Sequence, residues 1–331
     1  MFDLSELAVP ALLVVGAALL GTVVSVSNQT YFTDALVKVA IVVALYVFIG
    51  NSGVVSFGHI SFVALGAWTA GVLSVPASQK AAIMPNLAHW LLHRNTGNVL
   101  SLVFAAAVGA LAALLVGAPL MRLSGLAAGI ATFAVLEITH NVLQYEESIG
   151  PGLNAFSSVP ETTGLLQAAL GALLCVVIAF AYTRTRYGRL LRATREDDAA
   201  ARAVGTSVYG QRLVAFTVSG ALAGLAGGLY VHLLPLNIDS VYLDLTFITL
   251  AMLVVGGSTS LFGAVVGALA VSAIDSYLAV AENGSSFLGR HIDLPSGTAE
   301  IVVGVLMAAV IILRPAGITG GREVRLGRRR S

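Results

Sequence analysis

The sequence predicts an all-α polytopic membrane protein of about ten transmembrane segments, with eight as the lower bound, on three observations. Of its 331 residues, 57% are hydrophobic and only 11% charged, and the mean hydropathy is +0.90. That is more apolar side chain than one globular core can hide. Next, the apolar runs reach spanning length, since a helix rising 1.5 Å per residue crosses a hydrocarbon core of about 30 Å in roughly 20 residues. Finally, charge is segregated. Residues 184–212 carry seven arginines and the tail from Arg314 carries six, whereas 145–164 and 233–244 carry no Lys or Arg. The positive-inside rule makes the arginine-rich pieces cytoplasmic. Such a chain leaves no room for a large soluble domain, so any nucleotide-binding domain belongs to another polypeptide. The lone Cys175 sits in an apolar run, which excludes an internal disulfide and a thiolate metal cluster.

The segments run near 8–27, 35–50, 53–75, 99–121, 123–143, 165–183, 212–232, 245–256, 261–279 and 298–314. The first is expected to be a retained span, because Asp3 and Glu6 stand where a signal peptide carries basic residues. The short segments 35–50 and 245–256 are each followed by small residues, "GNSGVVSFGH" and "GGSTSLFG". These read as broken or re-entrant helices whose freed backbone groups face protein or water. Counting back from a cytoplasmic C-terminus places loops 76–98, 145–164, 233–244 and 280–297 outside and the N-terminus inside. Five segments precede the acidic loop 145–164 and five follow it, the first of each set running in opposite directions. That is the arithmetic of two inverted repeats, about 8–143 and 165–314, within a single transmembrane domain spanning 1–331. An echo between "GVVSFG" at 53–58 and "GSTSLFG" at 257–263 is the expected trace of that symmetry. The basic tail 315–331 suits anionic headgroups and is assigned nothing further.

One stretch in the cytoplasmic loop 184–212, "TREDDAAARAVG" at 194–205, is out of keeping with the rest. Thr194 and Asp197 form a Thr-x-x-Asp capping box, Gly205 suits a helix end, and the spacing predicts a helix over 195–204. Glu196 and Asp197 in its first turn favour it electrostatically, following Arg195. Ala199, Ala200, Ala203 and Val204 share one face, and Asp198 and Arg202 pair four apart on the other. A lipid-seeking helix would use Leu, Phe or Trp. The stretch is therefore either a solvated connector or a helix whose small face enters a groove on another protein.

Elsewhere, Ser56, Phe57, Gly58 and His59 follow the first break and Gly256 and Gly257 start the second. Both sets are candidates to line a translocation path, although Ser56 and Gly58 also suit close packing and His59 a hydrogen bond to a neighbouring carbonyl. Glu137, His140 and Asn141 share one helical face as a bundle-stabilising cluster, a path-lining group or a proton relay. Asp275 is to pair with an Arg or approach the outer interface, and Lys38 to snorkel from a span end. His89 and His93 have no third ligand for a metal, and "GLAGGLY" at 224–230 reads as helix packing, lacking the Lys-Ser/Thr of a phosphate loop.

Three stretches in order carry a family resemblance: "NSGVVSFGHISFVALGAW" (51–68), "RLLRATREDDAAARAVGTSVYGQRLVAFTVSGALAGLAGGLYVH" (189–232) and "LVVGGSTSLFGAVVGA" (253–268). Together they resemble the permease subunits of branched-chain amino acid ABC importers, related to ribose-type permeases, over most of residues 35–314. The sequence departs from that pattern at Ser258-Thr259-Ser260, at Ala127-Ala128 and at "SIGPGLNAF". These departures bear on the solute, not on transport.

The resemblance implies a permease in the bacterial inner membrane that is not itself an enzyme and binds no cofactor or metal, with ATP-Mg used by partner subunits. Its expected partners are two ATP-binding cassette subunits, a second permease chain or a copy of itself, and an extracytoplasmic solute-binding protein; nucleic acid is not among them. Thr194, Arg195, Glu196, Asp197, Ala199, Ala200, Ala203 and Gly205 would meet the ATPase. The competing expectation is a proton-coupled secondary transporter using Glu137, His140 or Asp275. A membrane enzyme would need a nucleophile or metal cluster that the sequence lacks.

Overall fold

A computed structural model describes residues 5–92, 94–156, 158–282, 286–287, 290–291, 295, 297–321 and 323. Every expected span is a helix. In order they are α1 (Ser5–Val23), α2 (Val26–Ser52), α3 (His59–Ser74), the short α4 (Ala77–Ile83) and α5 (His89–Leu92), α6 (Asn98–Leu120) and α7 (Gly125–Tyr145). The second half comprises α8 (Leu165–Arg184), α9 (Arg186–Glu196), α10 (Asp198–Ala203), α11 (Val208–Val231), α12 (Leu243–Gly256), α13 (Leu261–Glu282) and α14 (Thr298–Leu313). Among the described residues, eight helices are long and apolar enough to cross a membrane, and α3 and α14 are shorter apolar helices. Ser286–Phe287 and Arg290–His291 add a two-residue antiparallel ladder.

The second span is not short. Asn28, Gln29, Asp34 and Lys38 interrupt the apolar run of α2, yet the helix continues through them for 27 residues. From Leu36 to Ser52 it is buried throughout, packed by α8, α11 and α13. The third segment is shorter than expected, because residues 53–58 stay unwound and α3 begins only at His59.

Lipid tails give apolar helices no hydrophobic reason to associate, so close backbone approach must hold them together. The 224–230 glycines supply it. A Cβ on Gly227 would lie 1.9 Å from the Val63 carbonyl oxygen, and one on Gly224 2.3 Å from that of Ala105. Thus α11 lies against α3 on one side and α6 on the other.

Helices α1 and α8 run antiparallel, with Gly21 against Leu165 at one end and Glu6 paired with Arg184 at the other. The start of α1 therefore lies at the end where the arginine-rich segment emerges, hereafter the arginine end. The two glycine breaks also lie there and touch, since Ser258 O is 2.5 Å from where a Cβ on Gly50 would sit. An inverted repeat would place equivalent breaks at opposite ends. The sequence echo between them is therefore not a trace of inverted symmetry. At the opposite end the two acidic loops join, through Phe156 N–H to Leu236 O (2.8 Å) and Thr163 N–H to His232 O (3.1 Å). Apolar faces stay bare on α6 (Val99, Val103, Leu115), α7 (Leu126, Ile130) and α14 (Ile301, Ile312).

Candidate translocation and coupling site

The first break begins where α2 ends in a left-handed Gly53, φ +69°, whose N–H returns to Ile49 O. Ser56 and His59 are fully buried, with Ser56 Oγ 2.8 Å from His59 Nδ1. The imidazole is enclosed by Phe48, Phe62 and Phe216, at ring-centroid distances of 5.1–5.9 Å. Phe57 N–H donates to Thr132 Oγ1 of α7 (3.2 Å), and a Cβ on Gly58 would stand 2.2 Å from Thr132 O. Only glycine lets α7 close on this break.

The second break is sealed by the C-terminal segment. Gly257 has φ +116°, and a Cβ on Gly256 would lie 2.0 Å from Gly263 O, so α12 and α13 meet backbone to backbone. Ile318 N–H donates to Val255 O (2.8 Å) and Thr319 Oγ1–H to Gly256 O (2.7 Å). Glu323 accepts the orphan N–H groups of Leu261 and Phe262 at the start of α13, at 2.6 and 3.3 Å. Burial pushes its carboxyl above the usual range, and those two donors offset part of the shift. The beginning of the tail is thus a structural cap; beyond residue 321 only Glu323 lies within the described residues.

The charged dozen folds differently from expectation. Thr194 is not a helix cap. It is buried within α9 and donates to Leu191 O (2.7 Å), while Thr185 caps α9. The break falls at Asp197, which is extended (φ −151°, ψ 106°) and whose Oδ1 accepts Ala200 N–H (2.9 Å), capping α10. The expected helix 195–204 is therefore two helices meeting at Asp197, because an Asp side chain satisfies an orphan donor best from a non-helical backbone. Arg202 pairs with Asp198 at 2.6 Å. Ala199, Ala200, Ala203 and Val204 are exposed, and Ala201 alone turns inward. Gly205, φ +80°, closes the helix. Arg195 reaches back across the chain. Its Nη1 donates to Gly50 O (2.6 Å), a carbonyl in the last turn of α2, and its Nη2 pairs with Glu196 (2.7 Å).

Glu137 stands on α7 five residues past Thr132. It accepts from Tyr242 Oη and Asn141 Nδ2, while His140 stacks on the Tyr242 ring at 3.9 Å and meets Asp239 at 3.0 Å. The group ties α7 to the start of α12. Lys38 does not snorkel: its Nζ lies 2.8 Å from Asp34 and 3.0 Å from Asp275. This pairing escaped the sequence because its partners are 237 residues apart. Also missed was a clasp opposite the arginine end. His232 Nδ1–H donates to Pro160 O (3.0 Å), and its Nε2 lies 3.2 Å from Ser74 Oγ and 3.3 Å from Ser101 Oγ. Burial lowers the pKa of this imidazole. His89 opens α5, whereas His93 lies outside the described residues.

Among the described residues, ten apolar helices, with paired breaks at one end and a capped surface helix beside them, define a polytopic all-α membrane protein. The chain belongs to the family described as branched-chain amino acid transport system / permease component, which matches residues 27–312. It is 27% identical to the high-affinity branched-chain amino acid transport system permease protein LivM of Salmonella typhimurium, over 86% of this chain and 68% of that protein. A probable branched-chain amino acid transport permease protein LivH of Methanocaldococcus jannaschii is 32% identical over 45% of each chain. The autoinducer 2 import system permease protein LsrC of Enterobacter sp. is 28% identical over 64% of this chain and 62% of its own length. No solved structure matches the chain.

Proposed function

We propose that this chain is the pore-forming subunit of an ATP-driven importer in the bacterial inner membrane, with the arginine end cytoplasmic, carrying branched-chain amino acids or a related small polar solute. The observation that carries this reading is the link from α10 to the first break. The bare face of Ala199, Ala200, Ala203 and Val204 is shallow enough to seat in a groove of an ATPase subunit, and Asp197 separates it from α9 as a joint. Beyond that joint, Arg195 holds Gly50 O, one of the C-terminal carbonyls that a helix leaves unpaired. Displacing α10 would pull on the end of α2 where the two breaks touch, and so open or close the path beside Ser56, Phe57, Gly58, His59, Gly256 and Gly257. The joined acidic loops 145–164 and 233–244 would receive a solute-binding protein, and a second permease chain would cover the bare faces of the bundle. ATP-Mg would be used by the partner subunits.

The test is ATP-driven uptake in vesicles holding all subunits. Ala200→Trp should reduce uptake at least tenfold without loss of the permease from the membrane. Unchanged uptake would remove the docking role, and uptake driven by a pH gradient without ATP would favour a proton-coupled carrier.

A further inference from the structure

A cavity of about 520 Å3 lies between α2, α11, α12, α13 and α14, away from the two breaks. It is lined by Ser240, Asp244 and Glu300, near the starts of α12 and α14 opposite the arginine end, by Lys38, Tyr230 and Asp275, and by the apolar Leu245, Ile248, Ala251, Val303, Gly304 and Met307. Its size falls within the roughly 300–1,000 Å3 common for small-molecule sites. Lys38 stands 12 residues into α2, about 18 Å from its start at 1.5 Å per residue. Ionisable groups at such depth are costly and mark pathways or binding sites.

We propose that this cavity is a solute subsite for a small zwitterion with an apolar side chain, which inserts between Lys38 and Asp275. This deepens the permease reading and rests on it. The ion pair presents one ammonium and one carboxylate, the complement of a free amino acid. On binding, Lys38 keeps its 2.8 Å contact with Asp34 and exchanges Asp275 for the solute carboxylate. Asp275 then takes the solute ammonium, so charge stays balanced at every stage and no buried ion is left unpaired. Asp244 and Glu300, which have no ion-pair partner among the described residues, favour entry with the ammonium leading. The aliphatic walls take the side chain. Sugars, urea and neutral amides cannot replace both halves of the pair, and the site selects against them.

The experiment measures binding of radiolabelled leucine, isoleucine and valine to the purified full-length chain in lipid nanodiscs. Binding of at least one is expected, with 4-methylpentanoate and isoamylamine, each lacking one charged group, at least about tenfold weaker. Asp275→Asn and Lys38→Met should abolish it. Because Lys38→Met leaves Asp34 and Asp275 without their cation and Asp275→Asn leaves Lys38 only Asp34, either variant can fail to fold, and Gly304→Leu is the decisive one. A Cβ at Gly304 meets nothing within 4 Å, so this change fills the cavity and spares the ion pair. Its expected effect is at least a tenfold loss of affinity with the melting temperature retained. The proposal is overturned if none of the three amino acids binds wild type, if Gly304→Leu binds as well as wild type, or if 4-methylpentanoate competes as well as leucine. ATP-driven uptake that persists without cavity binding would sink this subsite and leave the permease reading standing.

Discussion

Asp197 decides the shape of the charged segment 194–205. In sequence it stands third in a Thr-x-x-Asp box, which reads as the partner of a Thr194 cap; in the fold it is itself the cap, and Thr194 bonds within α9. The sequence gives both residues capping chemistry, and tertiary contacts choose between them, since Arg195 must point back to Gly50 O. Losing an N-cap costs about 1 kcal/mol, and six residues are too few to hold a helix alone. Asp197→Ala is therefore expected to cut ATP-driven uptake several-fold, Asp197→Asn to retain it, and Thr194→Val to stay within twofold of wild type. Equal losses from Asp197→Ala and Thr194→Val would return the cap to Thr194.

Among the elements, α11 has the most demanding packing, and its role was legible in "GLAGGLY" because small residues in a span allow backbone contact. A Gly224→Val variant drives side-chain atoms into Ala105 O and should not accumulate as a folded protein, which detergent solubility and thermal unfolding would report. What the sequence hid is long-range pairing. The 3.6-residue pattern locates a helix and its faces but does not say which polar group meets which, so Lys38–Asp275 and the Ser74–His232–Ser101 clasp went unseen. The clasp joins α3, α6 and the end of α11 through a neutral imidazole. Its folded pKa lies below the ordinary value of 6.5, so the stability it supplies is present above pH 6.5 and is lost as pH falls below it. Lowering pH from 7.5 to 5.5 should therefore depress the melting temperature of wild type more than that of His232→Gln. Parallel shifts in the two proteins would show that His232 does not carry the pH response.

At the level of the whole molecule, the two ends are in different states. At the arginine end, Ser56 and His59 are buried, Gly58 is closed on by α7, and the second break is sealed by residues 317–321 and Glu323. Toward the other end, the Lys38–Asp275 cavity is also lined by Asp244 and Glu300, near the starts of α12 and α14. A transporter that alternates access must never be open at both ends, so the buried breaks predict closure at the arginine end. That makes accessibility the quantity to measure. In a Cys175→Ala background, which removes the chain's one buried thiol, single cysteines at Ser56 and Gly304 report on the two ends separately. In vesicles holding the assembled importer without nucleotide, Gly304→Cys is expected to react with a membrane-impermeant maleimide from the side opposite the arginine end. Ser56→Cys should be protected from both sides. A non-hydrolysable ATP analogue, acting through α10 and Arg195 on the end of α2, should reverse the pattern. If Ser56→Cys reacts freely from the arginine end before nucleotide is added, the breaks are not the closure. If nucleotide changes neither reactivity, the lever from α10 to Gly50 does not transmit the motion.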